Sequence, residues 1–144
     1  MQDLDEKLRN ELDLLFRMAR QKFSSGDGNG AIMLAETAWS KLPEPKFGWD
    51  VSKSYTHALA KLYRDAKLYE LAINLMNSLF ASGTVKPYQD GPVFLMGTIL
   101  FEKGDLDSAY HFFDEAKRIS KGRCFVGEDK KYADFHRQRL HAKK

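Results

Sequence analysis

Residues 94–116 have the sequence FLMGTILFEKGDLDSAYHFFDEA, two helix-forming stretches separated by a Gly-Asp turn. A small residue, Gly97, lies in the first stretch. Ala109 lies near the start of the second, with Phe113 and Ala116 four and seven positions later. Two helices approach closely only where side chains are small, and a larger residue fills the space beside them. The pattern predicts an antiparallel helix pair packed through these positions.

The same spacing occurs twice more toward the N-terminus. Thirty-seven residues earlier, the positions that match Gly97 onward are Ala60, Lys67, Tyr69, Ala72, Met76 and Leu79. A further 41 residues earlier, they are Ala19, Gly26, Gly28, Ala31, Ala35 and Ala38. Helix pairs of this kind stack on their neighbours to bury a common core. The sequence therefore predicts three helix-pair units, at about residues 12–45, 52–84 and 90–121.

Helical periodicity extends over nearly the whole chain. The first helix has an apolar stripe of residues three and four apart, namely Leu4, Leu8, Leu12, Leu15 and Ala19. A charged terminal helix at about residues 128–142 is expected to cap the third unit, held there by Phe125 and Tyr132. Because no stretch alternates as a half-buried strand does, we predict an all-α fold in a single domain, residues 1–144.

Composition excludes several classes of protein. With 43% hydrophobic and 30% charged residues, the chain has a globular balance. It has no apolar run of the roughly 18 residues that a membrane span needs, and its N-terminus has no apolar signal core. The lone cysteine, Cys124, excludes an internal disulfide framework and a Cys-rich zinc site. We expect a cytoplasmic protein.

The net charge of +3 is unevenly distributed. Residues 117–144 contain ten Lys and Arg against three acidic residues, a net of +7, and the rest of the chain has a net of −4. Such a segment is typical either of a nucleic-acid-binding patch or of a solvated terminal helix. We favour the solvated helix, because the segment also contains acids and has no compact run of five basic residues.

The repeated pattern resembles the tetratricopeptide repeat. Gly97 and Ala109 match the close-packing positions of that family, and Gly104 matches its turn. The sequence departs from the family at Lys67, which replaces the turn glycine, and at Gly28, where a large aromatic residue is usual. The spacings of 41 and 37 also exceed the family's 34, so the intervening loops are insertions. The resemblance implies a right-handed superhelix of three helix pairs plus a C-terminal capping helix.

A narrower resemblance is to small stand-alone bacterial tetratricopeptide-repeat proteins, some of which are immunity proteins against antibacterial toxins. It depends on Trp49, Asp50, Gly122, Arg123, Phe125, Glu128, Asp129, Lys131 and Tyr132. It implies a protein that binds and neutralises a cognate toxin. A chaperone or adaptor that shields part of another protein would use the same surfaces.

Catalysis finds no support in the sequence. The four histidines, His57, His111, His136 and His141, are scattered, and none has an HExxH spacing. His136 and His141 are expected to be solvated helix residues. Cys124 has no base that can be named for it, and we expect it to be a half-buried apolar residue. We predict a non-enzymatic protein with no catalytic, cofactor or metal site.

Binding is the function that the resemblance indicates. In the family, one stripe of each first helix lines a concave groove, and the matching residues here are Phe16, Arg20, Phe23, His57, Lys61, Arg64, Phe94, Thr98 and Phe101. Aromatic residues and Arg are typical of protein-binding hot spots, and the cations favour an acidic segment on the partner. The alternative is that the phenylalanines pack as core. We expect a monomer or a weak homodimer.

Secondary binding candidates lie outside the groove, at Trp49, Arg123, Lys130 and Lys131. Trp49 belongs to a long loop, where it is either an exposed recognition residue or a plug that holds the loop down. We favour the plug. We also expect Asp50 or Ser52 to cap the helix that follows.

Overall fold

The computed structural model describes residues 1–142. Over this range the chain is all-α and contains no β-strand, which confirms the predicted fold class. Its seven helices are α1 (Glu6–Ser24), α2 (Gly28–Lys41), α3 (Ser52–Asp65), α4 (Tyr69–Ala81), α5 (Asp90–Lys103), α6 (Leu106–Ser120) and α7 (Lys130–Ala142). A 3₁₀ turn, Arg123–Phe125, lies between α6 and α7. Helices adjacent in sequence pack as pairs, α1 on α2, α3 on α4 and α5 on α6.

Aspartates begin several of these helices. The Asp5 carboxylate accepts a hydrogen bond from the Leu8 amide at 3.2 Å, and Asp27 accepts from the Gly30 amide at 2.9 Å. Asp105 begins α6 in the same way. Each carboxylate satisfies an amide that has no partner within its helix. The cap at Asp27 explains why α2 starts three residues before the apolar stretch at Ala31.

The three helix pairs turn at equivalent positions. Gly26, Lys67 and Gly104 all have left-handed backbone conformations, with φ of 98°, 64° and 97°. Their sequence separations are those of the repeat, and each ends the connection shortly before the second helix of its pair. Glycine adopts this conformation without steric cost, whereas Lys67 does so against the clash of its Cβ with the following carbonyl. The repeat found in the sequence is thus also a repeat of backbone conformation.

The first compact unit, Met1–Thr84, contains α1 to α4. Both α1 and α2 pack against α3. The alanines at the repeat positions of this unit are fully buried, with no exposure of Ala19, Ala31, Ala35, Ala38, Ala60 or Ala72. Small side chains therefore lie where the helices approach most closely, as the spacing predicted.

The second compact unit begins at Val85 and contains α5 to α7. Its core is largely aromatic. Phe113 of α6 is fully buried, and its ring lies against Gly97 of α5. The predicted contacts of the terminal helix are present, since the rings of Phe125 and Tyr132 lie 5.5 Å and 6.0 Å from that of Phe94.

The N-terminus fastens the loop between α2 and α3. Asp50 accepts a hydrogen bond from the Leu4 amide at 3.2 Å and pairs with Arg9 at 2.5 Å. The prediction that Asp50 or Ser52 caps α3 is wrong, because Val51 holds the cap position and no side chain bonds there. The Ser52 hydroxyl instead accepts from the Trp49 amide at 3.0 Å. Both side chains hold the loop rather than the helix end.

Candidate functional site

An open pocket of about 430 Å³ lies between α1 and α3 in the first unit. Four of the nine residues predicted for the groove converge on it. The lining consists of Phe16, Arg20, Ser54, His57, Ala58, Lys61 and Leu62. Residues three and four apart project from one face of a helix, so α1 contributes Phe16 and Arg20, and α3 contributes the stripe that contains His57 and Lys61. The pocket has an apolar wall and a basic edge.

Phe16 forms the apolar wall and is anchored there. Its ring stacks on that of Tyr55 with centroids 5.0 Å apart, and only 8% of the residue is exposed. The Tyr55 hydroxyl donates to the Asp13 carboxylate at 2.6 Å. Burial and this carboxylate raise the pKa of Tyr55 well above its usual value. This stack and this hydrogen bond join α1 to α3 at the apolar wall.

Two of the predicted cations are positioned by Asp65, a residue that the sequence analysis did not single out. Arg20 donates to one Asp65 oxygen at 3.1 Å, and the Arg64 Nε donates to the other at 2.9 Å. The Arg20 guanidinium also lies over the ring of Phe23, 5.5 Å from its centroid. Asp65 therefore holds the two arginines near one end of α3, and Arg20 in turn contacts the Phe23 ring. Its place directly after Arg64 is the only sequence feature that pointed to it.

Lys61 is the cation at this site without an ion-pair partner among residues 1–142. It lies one helical turn after His57 and is only partly exposed. Burial, together with the positive charges of Lys61 and Arg64, lowers the pKa of His57 to about 4. His57 is therefore neutral near pH 7, and Lys61 supplies the positive charge on its side of the pocket.

This arrangement suits binding to a partly acidic surface. Arg20 and Arg64 pair with the Asp65 carboxylate, and Lys61 adds a positive charge in excess of these pairs. A carboxylate entering from a partner would complement this excess, and an apolar side chain would contact Phe16. The structure thus assembles Phe16, Arg20, Phe23, His57, Lys61 and Arg64 around α1 and α3 of one unit.

The groove residues predicted in the second unit are largely buried. Phe94 is 6% exposed and Thr98 is 1% exposed. The Thr98 hydroxyl donates to the Leu95 carbonyl at 2.7 Å. Phe101 remains partly exposed beside Tyr132 and Phe135 of α7. Phe94 thus belongs to the aromatic core of the unit, and Phe101 belongs to its contact with α7.

The secondary candidates have different surroundings. Trp49 is partly exposed, and its indole N–H donates to the Pro43 carbonyl at 2.9 Å, which ties the loop to itself. Arg123 and Lys130 are exposed. Lys131 is also exposed, but its ammonium pairs with Glu102 at 3.0 Å. Arg123 and Lys130 are thus the more accessible of the basic residues near α7.

The expectation that His136 is solvated is wrong. The residue is 2% exposed, and its ring stacks on that of Tyr110 at 5.1 Å. Its Nε2 is 2.9 Å from a carboxylate oxygen of Asp114. A polar residue is retained in this contact because the carboxylate satisfies its ring nitrogen. Cys124 is buried as well, and burial raises the pKa of its thiol, which disfavours the reactive thiolate.

No protein-family model, curated protein or solved structure matches the chain. Within residues 1–142 no group of three or more His, Cys, Asp or Glu side chains is placed to hold a metal ion. Over the same range, each helix is too short or too polar to cross a membrane. The geometry of the pocket is therefore the main guide to function.

Proposed function

We propose that the chain is a non-enzymatic, tetratricopeptide-like protein-binding module that recognises an acidic partner through the pocket between α1 and α3. One observation carries this proposal, namely the convergence of Phe16, Arg20, His57 and Lys61 on one open pocket. Phe16 provides an apolar anchor, while Arg20 and Lys61 provide charge. Rigid aromatic anchors beside cations are favoured in protein interfaces.

The specific role that we propose is that of a bacterial immunity protein, acting in the cytoplasm. Its support is the resemblance of the loop around Trp49 and of the segment from Gly122 to Tyr132 to stand-alone proteins of that kind. A basic pocket would also speed association with an acidic toxin by electrostatic steering. The partner would then be the toxin encoded beside this chain.

Co-expression tests this role. The product of the adjacent gene is expressed in a bacterial host with and without the chain, and growth is measured. Rescue of growth and a complex on size exclusion are the expected results. If the product is toxic and the chain neither rescues growth nor binds it, the immunity role is wrong.

The pocket is tested in the same assay by charge reversal at Lys61. Lys61→Glu removes the cation without an ion pair and adds repulsion toward an acidic partner. Lys7→Glu makes the same charge change at an exposed position of α1, nearly opposite Arg20 on the helix. Loss of rescue with the first variant and full rescue with the second are expected. Arg64 is less suitable, because its side chain is 11% exposed and paired with Asp65.

A chaperone or adaptor is the alternative role within the same class. It would bind a segment of a secreted or assembling protein and keep it soluble. The two roles differ in what the partner does alone. A chaperone raises the soluble yield of a harmless partner, whereas an immunity protein restores growth in the presence of a toxic one.

A nucleic-acid-binding role is the alternative from another class, and it depends on the net charge of +7 over residues 117–144. Several of these cations are already paired, including Lys131 with Glu102 and Arg139 with Asp107. This pairing favours the protein-binding role. Binding to DNA or RNA would be strong at low salt and fall steeply as salt rises. A mobility-shift assay at low salt that shows no complex would eliminate it.

A further inference from the structure

The terminal helix α7 contacts the rest of the second unit through a narrow aromatic stripe. The Tyr132 ring lies 5.4 Å from that of Phe101, and the Phe135 ring lies 5.1 Å from it. In α7 only Tyr132 and His136 are buried. Phe135 and His136 stand three and four positions after Tyr132, so these side chains lie on one face of α7, while Lys130, Lys131, Arg137 and Gln138 are exposed.

The surface under α7 is built by other elements. Its floor is Phe113, which packs against Gly97, while Phe94 and Phe101 of α5 stand beside it. Phe125 of the 3₁₀ turn completes this aromatic face. The floor of the face is thus formed by the packing of α5 on α6 rather than by α7.

Acidic residues surround the aromatic face, and α7 meets each of them with a basic one. Lys131 pairs with Glu102 at 3.0 Å, Arg139 pairs with Asp107 at 2.8 Å, and His136 lies 2.9 Å from Asp114. The Asp107 side chain is 90% exposed and that of Asp114 is 54% exposed. Exposed pairs of this kind contribute little stability. The acidic residues nevertheless select the charge of the helix that packs on the face, since they attract a basic helix and repel an acidic one.

The acidic residues Glu102, Asp107 and Asp114 form a rim around the aromatic face, and one carboxylate oxygen of this rim accepts no hydrogen bond from the described residues. The Glu102 Oε2 is shielded from solvent and accepts no hydrogen bond from residues 1–142, while its Oε1 takes the Lys131 ammonium. An arginine can donate to both oxygens of a carboxylate at once, whereas a lysine is a point donor. A helix with Arg at this position would therefore satisfy Glu102 better than α7 does.

The connection to α7 is short. Cys124 of the 3₁₀ turn is buried, and the Phe125 ring packs against that of Phe94 with centroids 5.5 Å apart. After them Val126 is 79% exposed and Gly127 is left-handed, with φ of 82°. A short exposed segment thus separates the 3₁₀ turn from α7.

We propose that the aromatic face and its acidic rim form a docking site for a basic amphipathic helix of a partner protein, and that α7 occupies this site as a displaceable internal ligand. The partner helix carries two aromatic residues three positions apart, as Tyr132 and Phe135 are in α7. It carries one cation immediately before the first aromatic residue and a second cation seven positions after that aromatic residue. Arg in the earlier cationic position makes it a stronger ligand than α7. This site is separate in chemistry from the basic pocket on α1 and α3, and it does not depend on that pocket's function.

A labelled peptide that comprises residues 128–142 tests the proposal on full-length protein. Its binding is measured by fluorescence anisotropy to wild type and to the double variant Lys131→Glu, Arg139→Glu, in which α7 no longer matches the rim. The matched control is Lys130→Glu, Arg137→Glu, which changes the same charge at two exposed α7 positions that do not contact the rim. Circular dichroism checks that each variant is folded.

The peptide is expected to bind the rim-mismatched variant at least tenfold more tightly than wild type or the control, because competition from α7 is removed. Equal affinity for all three proteins overturns the proposal. A peptide with Tyr132→Ala and Phe135→Ala is expected not to bind. If it binds as well as the native peptide, the aromatic face is not the site.

Hydrogen exchange on wild type provides a second test that needs no variant. Amides of α7 are expected to exchange at least tenfold faster than the buried amides of α5 and α6, because α7 opens locally. Exchange of α7 at the rate of those helices overturns the proposal. A concentration-dependent dimer in which α7 is exchanged between chains would also overturn it, since the occupant would then be a second copy.

Discussion

Gly97 and Phe113 are in such close contact that a larger residue at position 97 would require the Phe113 ring to shift. A Cβ added to Gly97 would lie 2.8 Å from Cδ1 and 2.9 Å from Cε1 of the Phe113 ring. The ring is fully buried and belongs to the aromatic core of the second unit. This contact is where the helices of the third pair approach each other, and it fixes the floor of the face under α7.

Gly97→Ala is therefore expected to lower the free energy of unfolding by about 1–3 kcal/mol, the usual cost of overpacking a core. Chemical denaturation monitored by circular dichroism measures it. Gly91→Ala is the control, because it lies in the same helix, has nothing within 4 Å of its added Cβ and has no left-handed backbone. The control is expected to keep or slightly raise stability. A neutral Gly97→Ala would mean that α5 and α6 are farther apart than described.

Lys67 tests the turn of the second pair. Its φ of 64° costs a residue with a Cβ about 1–2 kcal/mol relative to a glycine. Lys67→Gly is expected to raise the free energy of unfolding by about 1 kcal/mol, after the added chain entropy of glycine is subtracted. Thermal unfolding measures this. The same substitution inside α6, Lys117→Gly, is expected to be destabilising by about 1 kcal/mol. A destabilising Lys67→Gly would contradict the left-handed assignment.

His57 makes stability depend on pH. Its pKa is about 4 in the folded chain and 6.5 when unfolded. The unfolded state therefore takes up this proton at a higher pH than the folded state does. The free energy of unfolding is unaffected by the titration of His57 above pH 6.5 and decreases as the pH falls toward 4. The loss attributable to His57 is up to about 3 kcal/mol, from the difference of the two pKa values.

Denaturation midpoints measured between pH 7.5 and 4 test this dependence in wild type and in His57→Gln. The variant is expected to lose less stability over that range, while the exposed His111→Gln is expected to follow wild type. An NMR titration of the His57 ring is expected to give a midpoint near 4. A midpoint near 6.5 would show that the ring is not shielded in the pocket.

Helix positions were predictable because apolar residues recur at helical spacing within each segment, and residues near its end in the sequence interrupt that spacing. The small residues at Ala19, Ala60 and Gly97 could be matched by spacing alone, and all three are buried. In α5 the same spacing argument could not distinguish residues that line a groove from residues that pack in the core. That helix is apolar on nearly every side, so periodicity defines no solvent face for Phe94 or Thr98.

Contacts between residues far apart in sequence account for what was missed. His136 looks like a surface residue because its own helix is polar, and its burial depends on Tyr110 and Asp114, more than twenty positions earlier. The role of Asp65 likewise depends on Arg20, 45 residues away. The pocket on α1 and α3 could be anticipated only in part, since Arg20, His57 and Lys61 were expected in the groove while Asp65 was not.

The most direct test of the proposed function is the affinity of the cognate partner for Lys61→Glu compared with Lys7→Glu. Isothermal titration with the purified product of the adjacent gene, at low and moderate salt, measures both. Lys61→Glu is expected to weaken binding at least tenfold, which is about 1.4 kcal/mol, and Lys7→Glu by less than twofold, with the difference shrinking as salt rises. If the two variants bind equally well, the pocket between α1 and α3 is not the recognition site.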